Sequence, residues 1–315
     1  MFEYMNSLGS AKKPFLFVIS YDKQEVFVQE LDKLDSDIYY KLQSKRNYPR
    51  KPINQSYYLH KSPIDYTTYK NSIELVKEQI KDGNTYLLNL TFKTPIESNL
   101  TLLEIFRYSR AKYKLYFKDK FICFSPERFV LIEDNTISTY PMKGTIDASL
   151  PNAKEQILND TKEMAEHTMI VDLMRNDLGI VGNTIRVEKF RYIDKIKAGK
   201  KELLQVSSKI TAKLSPFWHN HIGDILDSIT PAGSITGTPK KKTVEIIDSI
   251  EDYDREFYTG VFGIYDGVSL DSAVMIRFIQ KDDDKLYYKS GGGITIDSTP
   301  QSEYEELIDK IYLPI

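Results

Sequence analysis

Apolar and polar positions alternate along the chain in a way that divides it into short strands and amphipathic helices. Residues 15–21 and 25–31 are apolar-rich runs on either side of Asp22-Lys23, a spacing that predicts a β-hairpin. Residues 33–62 are polar, rich in tyrosine and weakly periodic, and read as a connection. From Asp65 the period becomes helical, with Ile73, Val76 and Ile80 on one face and Gly83 as a natural stop. Strand-type runs follow at 86–92, 121–124, 128–132 and 136–140, with a helix expected over 102–113. The strongest helical pattern covers 161–178, where Met164, His167, Ile170, Val171 and Met174 recur near helical spacing. Residues 203–214 alternate like a strand. Helices are expected at 221–229 and 239–251, then strands near 257–265, 270–280 and 285–289. A last helix starts at Pro300, whose fixed φ suits the first helical position and which Ser298 or Thr299 can cap. Consecutive strands with interspersed helices, rather than regular β-α alternation, define an α+β protein with antiparallel sheets.

The 315 residues suffice for one large domain or two ordinary ones. Forty-three basic residues against 45 acidic ones leave a net charge of -2, so nothing attracts a nucleic acid or an anionic membrane. The one basic cluster, Lys240-Lys241-Lys242, reads as a solvated helix face. The single cysteine, Cys123, lies in an apolar run and reads as core, which excludes an intrachain disulfide or a CxxC site. The four histidines make no zinc-type pattern with it. Lys12-Lys13 precede an apolar run too short for a signal peptide or a membrane span, so a cytoplasmic location is expected.

Three features could carry chemistry. Glu163 and Glu166 lie on one predicted helix, Glu303 and Glu306 on another, and each spacing puts both carboxylates on one face. Two such faces turned together would suit Mg²⁺, although glutamates at this spacing are also common on solvated helices. The run Gly233-Ser234-Ile235-Thr236-Gly237-Thr238-Pro239-Lys240 is not a P-loop, because only three residues separate its glycines. It leads into a helix whose free N–H groups could receive an anion, or is a plain cap. Gly291-Gly292-Gly293 implies close backbone approach or a bulge. Lys143, at a strand end beside Pro141 and Gly144, is either an exposed residue or, if buried, a nucleophile. Glu127 could serve as acid or base. Arg277 and Lys310 are candidate carboxylate partners.

Taken in order, these segments resemble the chorismate-utilising enzymes, a family that includes aminodeoxychorismate, anthranilate, isochorismate and salicylate synthases. The matching stretches are YLLNLT at 86–91, SPERF at 125–129, PMKGT at 141–145 and EMAEHTMIVDLMRNDL at 163–178. They continue with GSITGTPK at 233–240, REFYTGVFG at 255–263, Ile276-Arg277 and GGGITIDSTPQSEYEE at 291–306, so the resemblance covers 65–315. It implies a four-layer α/β/β/α fold, with two antiparallel sheets face to face and helices outside. Residues 1–62 would be a short β-rich segment packed on the same fold, and 63–315 the chorismate-binding catalytic domain.

The resemblance also implies roles for the site residues. Glu166 and Glu306 would bind Mg²⁺ directly, with Glu163 and Glu303 holding its water ligands. Arg277, Tyr258 and the backbone at Gly292 and Gly293 would hold the enolpyruvyl carboxylate of chorismate. Lys310, Thr145, Ser234 and Thr236 would complete the cleft. Lysine at 143 is the residue of aminodeoxychorismate synthases, where anthranilate synthases have alanine. It implies a covalent route through Lys143, with Glu127 supplying a proton and ammonia displacing the lysine. Such an attack needs a neutral amine, so a lowered Lys143 pKa is expected. Leu87 stands where water-adding members carry a lysine, and Gln205 at the position that matches the anthranilate synthase histidine. With Cys123 in a strand, the chain has no glutaminase nucleophile. Ammonia would come from solution or from a glutamine amidotransferase subunit, on the way to 4-aminobenzoate and folate. The alternatives are anthranilate synthase component I and a non-catalytic chorismate-fold binding protein.

Overall fold

The computed structural model describes residues 1–49, 55–198 and 201–315. Its frame is a pair of antiparallel sheets, each of nine strands among the described residues. The hairpin of Phe15–Ile19 and Val26–Glu30 forms as expected, with Ile19 opposite Val26. All five residues of the first strand are buried. Because side chains alternate across a strand, Phe15, Phe17 and Ile19 enter one core while Leu16 and Val18 enter another. That strand is therefore covered on both faces, and its sheet lies between a helical layer and the second sheet.

The second sheet shows the same partition. Leu115, Phe121, Cys123 and Phe278 meet Leu16 and Val18 between the sheets. Ile122, Phe124, Ile279 and Tyr288 point outward, against Leu102, Ile105 and Phe106 of the Leu102–Tyr108 helix. Further along, Leu88, Leu90 and Phe92 pack under the helices Tyr66–Lys81, Lys240–Ile250 and Pro300–Asp309. On the first sheet, Ile170, Leu173, Met174 and Leu178 of Thr161–Val181 cover the strands. The order is helices, sheet, sheet, helices, the expected α/β/β/α arrangement. Each large side chain taken fully out of water contributes roughly 1.5–3 kcal/mol, which makes these three interlayer cores the main stabilising element.

Local chemistry sets several boundaries. Asp65 caps the Tyr66–Lys81 helix by accepting the Thr68 N–H at 3.0 Å, and Gly83, at φ +74°, follows its end. Asp160 caps Thr161–Val181 through the Glu163 N–H, which fixes the phase of the glutamate face.

Other boundaries differ from the sequence pattern. A helix, Phe2–Ser10, opens the chain. The connection expected over 33–62 contains the strands Ile38–Leu42, Lys45–Arg46 and His60–Lys61, while its part at 50–54 lies outside the described residues. The helix expected to 113 ends at Tyr108, because Tyr113–Phe117 pairs with Phe121–Ser125. Asn183–Ala198, unassigned by pattern, is a long edge strand along Lys201–Lys213. The strand expected from 257 starts at Val261, since Tyr258 and Gly260 donate to the carbonyls of Arg255 and Phe257 in a turn. The run 270–280 is two strands in different sheets, Leu270–Val274 and Phe278–Asp282. Between them the chain crosses at Met275-Ile276-Arg277, with Arg277 at φ +53°. Neither Ser298 nor Thr299 caps the last helix; the Ser298 hydroxyl donates to Glu303 at 2.8 Å instead.

Candidate active site

The two sheets part around a cavity of about 500 Å³, within the range of small-molecule sites. Its floor is the glycine run of Lys285–Ile294. The pairing there is regular, with Gly291, Gly292 and Gly293 opposite Thr91, Leu90 and Asn89, so no bulge is present. Close approach is the reason for the glycines. A Cβ on Gly291 would lie 2.2 Å from the Leu90 carbonyl oxygen, and one on Gly293 would lie 3.2 Å from Leu87 Cδ1 and 3.8 Å from Lys143 Nζ. Side chains at these positions would fill the space that Lys143 and Lys310 face.

Lys143 enters from the strand Met142–Asp147. Its Nζ lies 2.7 Å from Glu166 Oε2, and Glu166 is buried in the Thr161–Val181 helix. Burial pulls the Lys143 amine down, but Glu166, then Glu163 and Glu306, outweigh it and hold the pKa above its ordinary value. The lowered pKa expected from the sequence is therefore not what this arrangement gives. Burial is the largest single influence, and the carboxylates outweigh it only together, with Glu166 at hydrogen-bond distance.

Lys310 faces Lys143 from the other side. Its Nζ donates to Glu306 Oε1 at 2.6 Å and to the Gly291 carbonyl at 2.8 Å, and burial lowers its pKa. One glutamate of each pair, Glu163 and Glu306, thus lines the cavity, while Glu166 lies behind it, paired with Lys143. Glu163 is pushed up by burial, as is Glu303, although Ser298 donates to the latter. Glu163 Oε2 is buried with no hydrogen-bond partner. Among the described residues, no three His, Cys, Asp or Glu side chains are gathered closely enough to hold a metal by themselves.

Glu127, in the two-residue link between Phe121–Ser125 and Arg128–Glu133, lines the same cavity. Ser234 Oγ donates to its Oε1 at 2.5 Å, and burial raises its pKa. A carboxyl group that keeps its proton more readily than usual is suited to act as an acid. Arg277 also lines the cavity, its Nε buried without a hydrogen-bond partner and its guanidinium 5.7 Å from the Tyr312 ring. Tyr258, whose pKa is raised by burial, and Thr145 complete the wall. Thr236 also lines the cavity, and its hydroxyl donates to the Ala232 carbonyl within its own turn.

The turn from Gly233 to Gly237 is held from behind. Lys240, read from the sequence as solvated, forms an ion pair with Asp177 at 2.7 Å and donates to the Ile229 carbonyl. Arg255 and Glu251 form a deeply buried pair at 2.6 Å. Arg255 also donates to the carbonyls of Ile235 and Asn89, so this pair ties two walls of the cavity together. Asn89 and Lys289 line the cavity and were missed by the sequence reading. The only signal was a polar residue two positions from Leu87 on the same strand face, and a lysine beside the glycine run. A larger, open groove of about 680 Å³ lies outside the Thr161–Val181 helix, lined by residues such as Tyr86, Met169 and Phe190. It has no lysine in its lining, and its charged residues, Asp172 and Arg175, pair with each other at 3.0 Å.

Fold and cavity together define a two-sheet protein that gathers lysines, carboxylates and an arginine around one cavity of small-molecule size. The chain belongs to the chorismate binding enzyme family, whose model matches residues 10–314. It is 50% identical over 314 residues to an uncharacterized PabA-like protein of Haemophilus influenzae, covering 99% of this chain and 96% of that one. To aminodeoxychorismate synthase component 1 of Escherichia coli it is 31% identical over 259 residues, covering 77% of this chain and 56% of that protein. Anthranilate synthase component I from Streptococcus pneumoniae superposes with a TM-score of 0.67 at 25% identity, covering 80% of this chain and 58% of that one. MenF, the menaquinone-specific isochorismate synthase of Escherichia coli, gives 0.73 at 16% identity over 98% of this chain and 79% of its own, a likeness of fold. Among the described residues no helix is long and apolar enough to cross a membrane.

Proposed function

We propose that this chain is the chorismate-aminating component of an aminodeoxychorismate synthase, converting chorismate and ammonia to 4-amino-4-deoxychorismate. The observation that carries this reading is the placement of Lys143 and Glu127 in one cavity with Arg277 and Lys310. In this reading Lys143 first releases its ammonium proton to solvent, and the neutral amine then forms a bond to ring carbon 2 as the bond from carbon 4 to its hydroxyl breaks. Glu127 gives its proton to the departing hydroxyl, which leaves as water. Ammonia then bonds to carbon 4, the bond from carbon 2 to Lys143 breaks, and the lysine is recovered. Arg277, with an unpartnered buried Nε, receives a substrate carboxylate.

The glutamates fit Mg²⁺. Glu166 and Glu306 each hold a lysine, while Glu163 Oε2 lacks a partner and Glu163 and Glu303 resist ionisation, the behaviour of carboxylates short of a cation. Glu166 and Glu306 would hold the ion and Glu163 and Glu303 its waters, and the ion would supply positive charge against a substrate carboxylate and compete with Lys143 for Glu166. Ammonia comes from a glutamine amidotransferase partner in this reading, because Cys123 is fully buried and its thiol is held protonated. The test is intact-protein mass spectrometry of a reaction starved of ammonia. A chorismate-derived adduct mapped to Lys143 supports the covalent route. A Lys143→Ala enzyme that aminates chorismate as fast as the wild type would overturn it.

A further inference from the structure

We infer that Gln205 is a positioning residue for Lys143: its carboxamide holds the strand bulge that presents the Lys143 amine to the cavity. The inference rests on the proposed role of Lys143. Strand Met142–Asp147 runs antiparallel to Lys201–Lys213, with Met142 opposite Ser207 and Thr145 opposite Gln205. Three steps on one strand therefore match two on the other, so one residue is extra. Gly144 sits in this bulge at φ +83°, a conformation that glycine adopts freely.

The bulge changes which way side chains face. In a regular strand Lys143 and Thr145 would share one face, and Met142 and Gly144 the other. Here all four consecutive residues line the cavity. A bulge also disrupts the local ladder of backbone hydrogen bonds. Gln205 spans the gap from the neighbouring strand: its Nε2 donates to the Gly144 carbonyl at 2.8 Å, and its Oε1 accepts from the Thr145 hydroxyl at 2.9 Å. On the other side, Glu163 Oε2 would lie 2.9 Å from a Cβ on Gly144. The bulge is thus held by Gln205, with Glu163 lying close on its other side, and the amine that emerges from it reaches Glu166.

The carboxamide suits this task because it donates at one atom and accepts at the other. Glutamate at 205 could accept from Thr145 but would repel the Gly144 carbonyl. Methionine has nearly the same length and does neither. Gln205 touches no reacting atom in this account, and its effect runs through the Lys143 backbone.

The experiment compares full-length wild type, Gln205→Met and Gln205→Glu in two measurements. Competitive labelling with trace acetic anhydride, read by peptide mass spectrometry, reports Lys143 against Lys310 as an internal standard. Labelling of Lys143 is expected to rise at least threefold in both variants, with Lys310 unchanged, as the amine leaves Glu166. Steady-state amination of chorismate is expected to lose about 100-fold in kcat, as for a reacting group misplaced by about 1 Å. KM for chorismate should stay within about threefold. Unchanged Lys143 labelling, or a kcat loss with an equal rise in KM, would overturn the inference. If wild type does not aminate chorismate, the proposed function fails while the labelling ratio still decides the role of Gln205. Should Gln205→Met not fold, Gln205→Glu, which keeps a polar chain of equal length, carries the same two readouts.

Discussion

Lys143 is held as an ammonium on Glu166, 2.7 Å away, so the candidate nucleophile and a candidate metal ligand occupy one another in this structure. The two functions are coupled: whatever draws Glu166 away loosens the grip on the Lys143 proton. Replacing Glu166 by glutamine keeps the shape and removes the charge. Magnesium affinity, measured by isothermal titration, is expected to fall by about 100-fold, as for loss of a carboxylate ligand or its close support. Magnesium binding that is unchanged in Glu166→Gln would remove Glu166 from the ion's site.

Gly144→Ala tests the bulge from the other direction. At φ +83° an added Cβ costs about 1–2 kcal/mol in backbone strain, and it would also press on Glu163 Oε2 at 2.9 Å. Amination is therefore expected to fall much further than stability does. The comparison is kcat against the midpoint of urea unfolding.

The Arg255–Glu251 pair predicts a large and non-additive stability effect. Both side chains are only 2% exposed. Arg255→Met leaves Glu251 charged and buried, although still bonded to the Thr91 N–H and hydroxyl. The expected loss is about 3–5 kcal/mol. Adding Glu251→Met should cost much less than its single effect, because the orphaned charge is gone. Urea midpoints at constant m-value, for the two single variants and the double, measure the coupling.

Lys289 gives a pH signature. It is 1% exposed, and burial lowers its pKa from an ordinary 10.5 to about 8, although its amine donates to the Asp254 and Arg255 carbonyls. Below pH 8 both folded and unfolded chains hold this proton, and the buried charge weighs against folding. From pH 8 to 10.5 the unfolded chain binds the proton and the folded chain does not, so the contribution of Lys289 to stability rises with pH. Wild type should therefore gain stability relative to Lys289→Met across that window. A difference that is flat with pH would show that Lys289 titrates normally in the fold.

Much of this site was legible in the sequence because it depends on short-range spacing. Glu163 and Glu166 share a face because three residues make nearly one turn, and the Asp160 cap fixes where that turn begins. Phe15 to Ile19 announces a strand as a short apolar run ahead of a turn signal. What the sequence hid depends on contacts between distant segments. Ser234 meets Glu127 across 107 positions, and no local pattern encodes that. The apolar run 270–280 reads as one strand, because alternation does not say which sheet each half joins. Tyr113 looked helical because Leu102, Ile105 and Phe106 before it are spaced for a helix, and only pairing with Ser125 reveals the strand. Lys240 read as solvated, and nothing local marked Arg255 or Lys289 as buried, since charge predicts exposure until a buried partner is found. Asn183–Ala198 escaped because its edge position mixes exposed polar residues with the exposed apolar Val187 and Phe190, which blurs the alternation.

The most direct test of the account is the product formed by purified protein with chorismate, magnesium and an ammonium salt at mildly alkaline pH, read by mass spectrometry and fluorescence. The account predicts magnesium-dependent 4-amino-4-deoxychorismate, no anthranilate, and loss of the product in Lys143→Ala. Fluorescent anthranilate as the main product, or amination that survives Lys143→Ala undiminished, would contradict it.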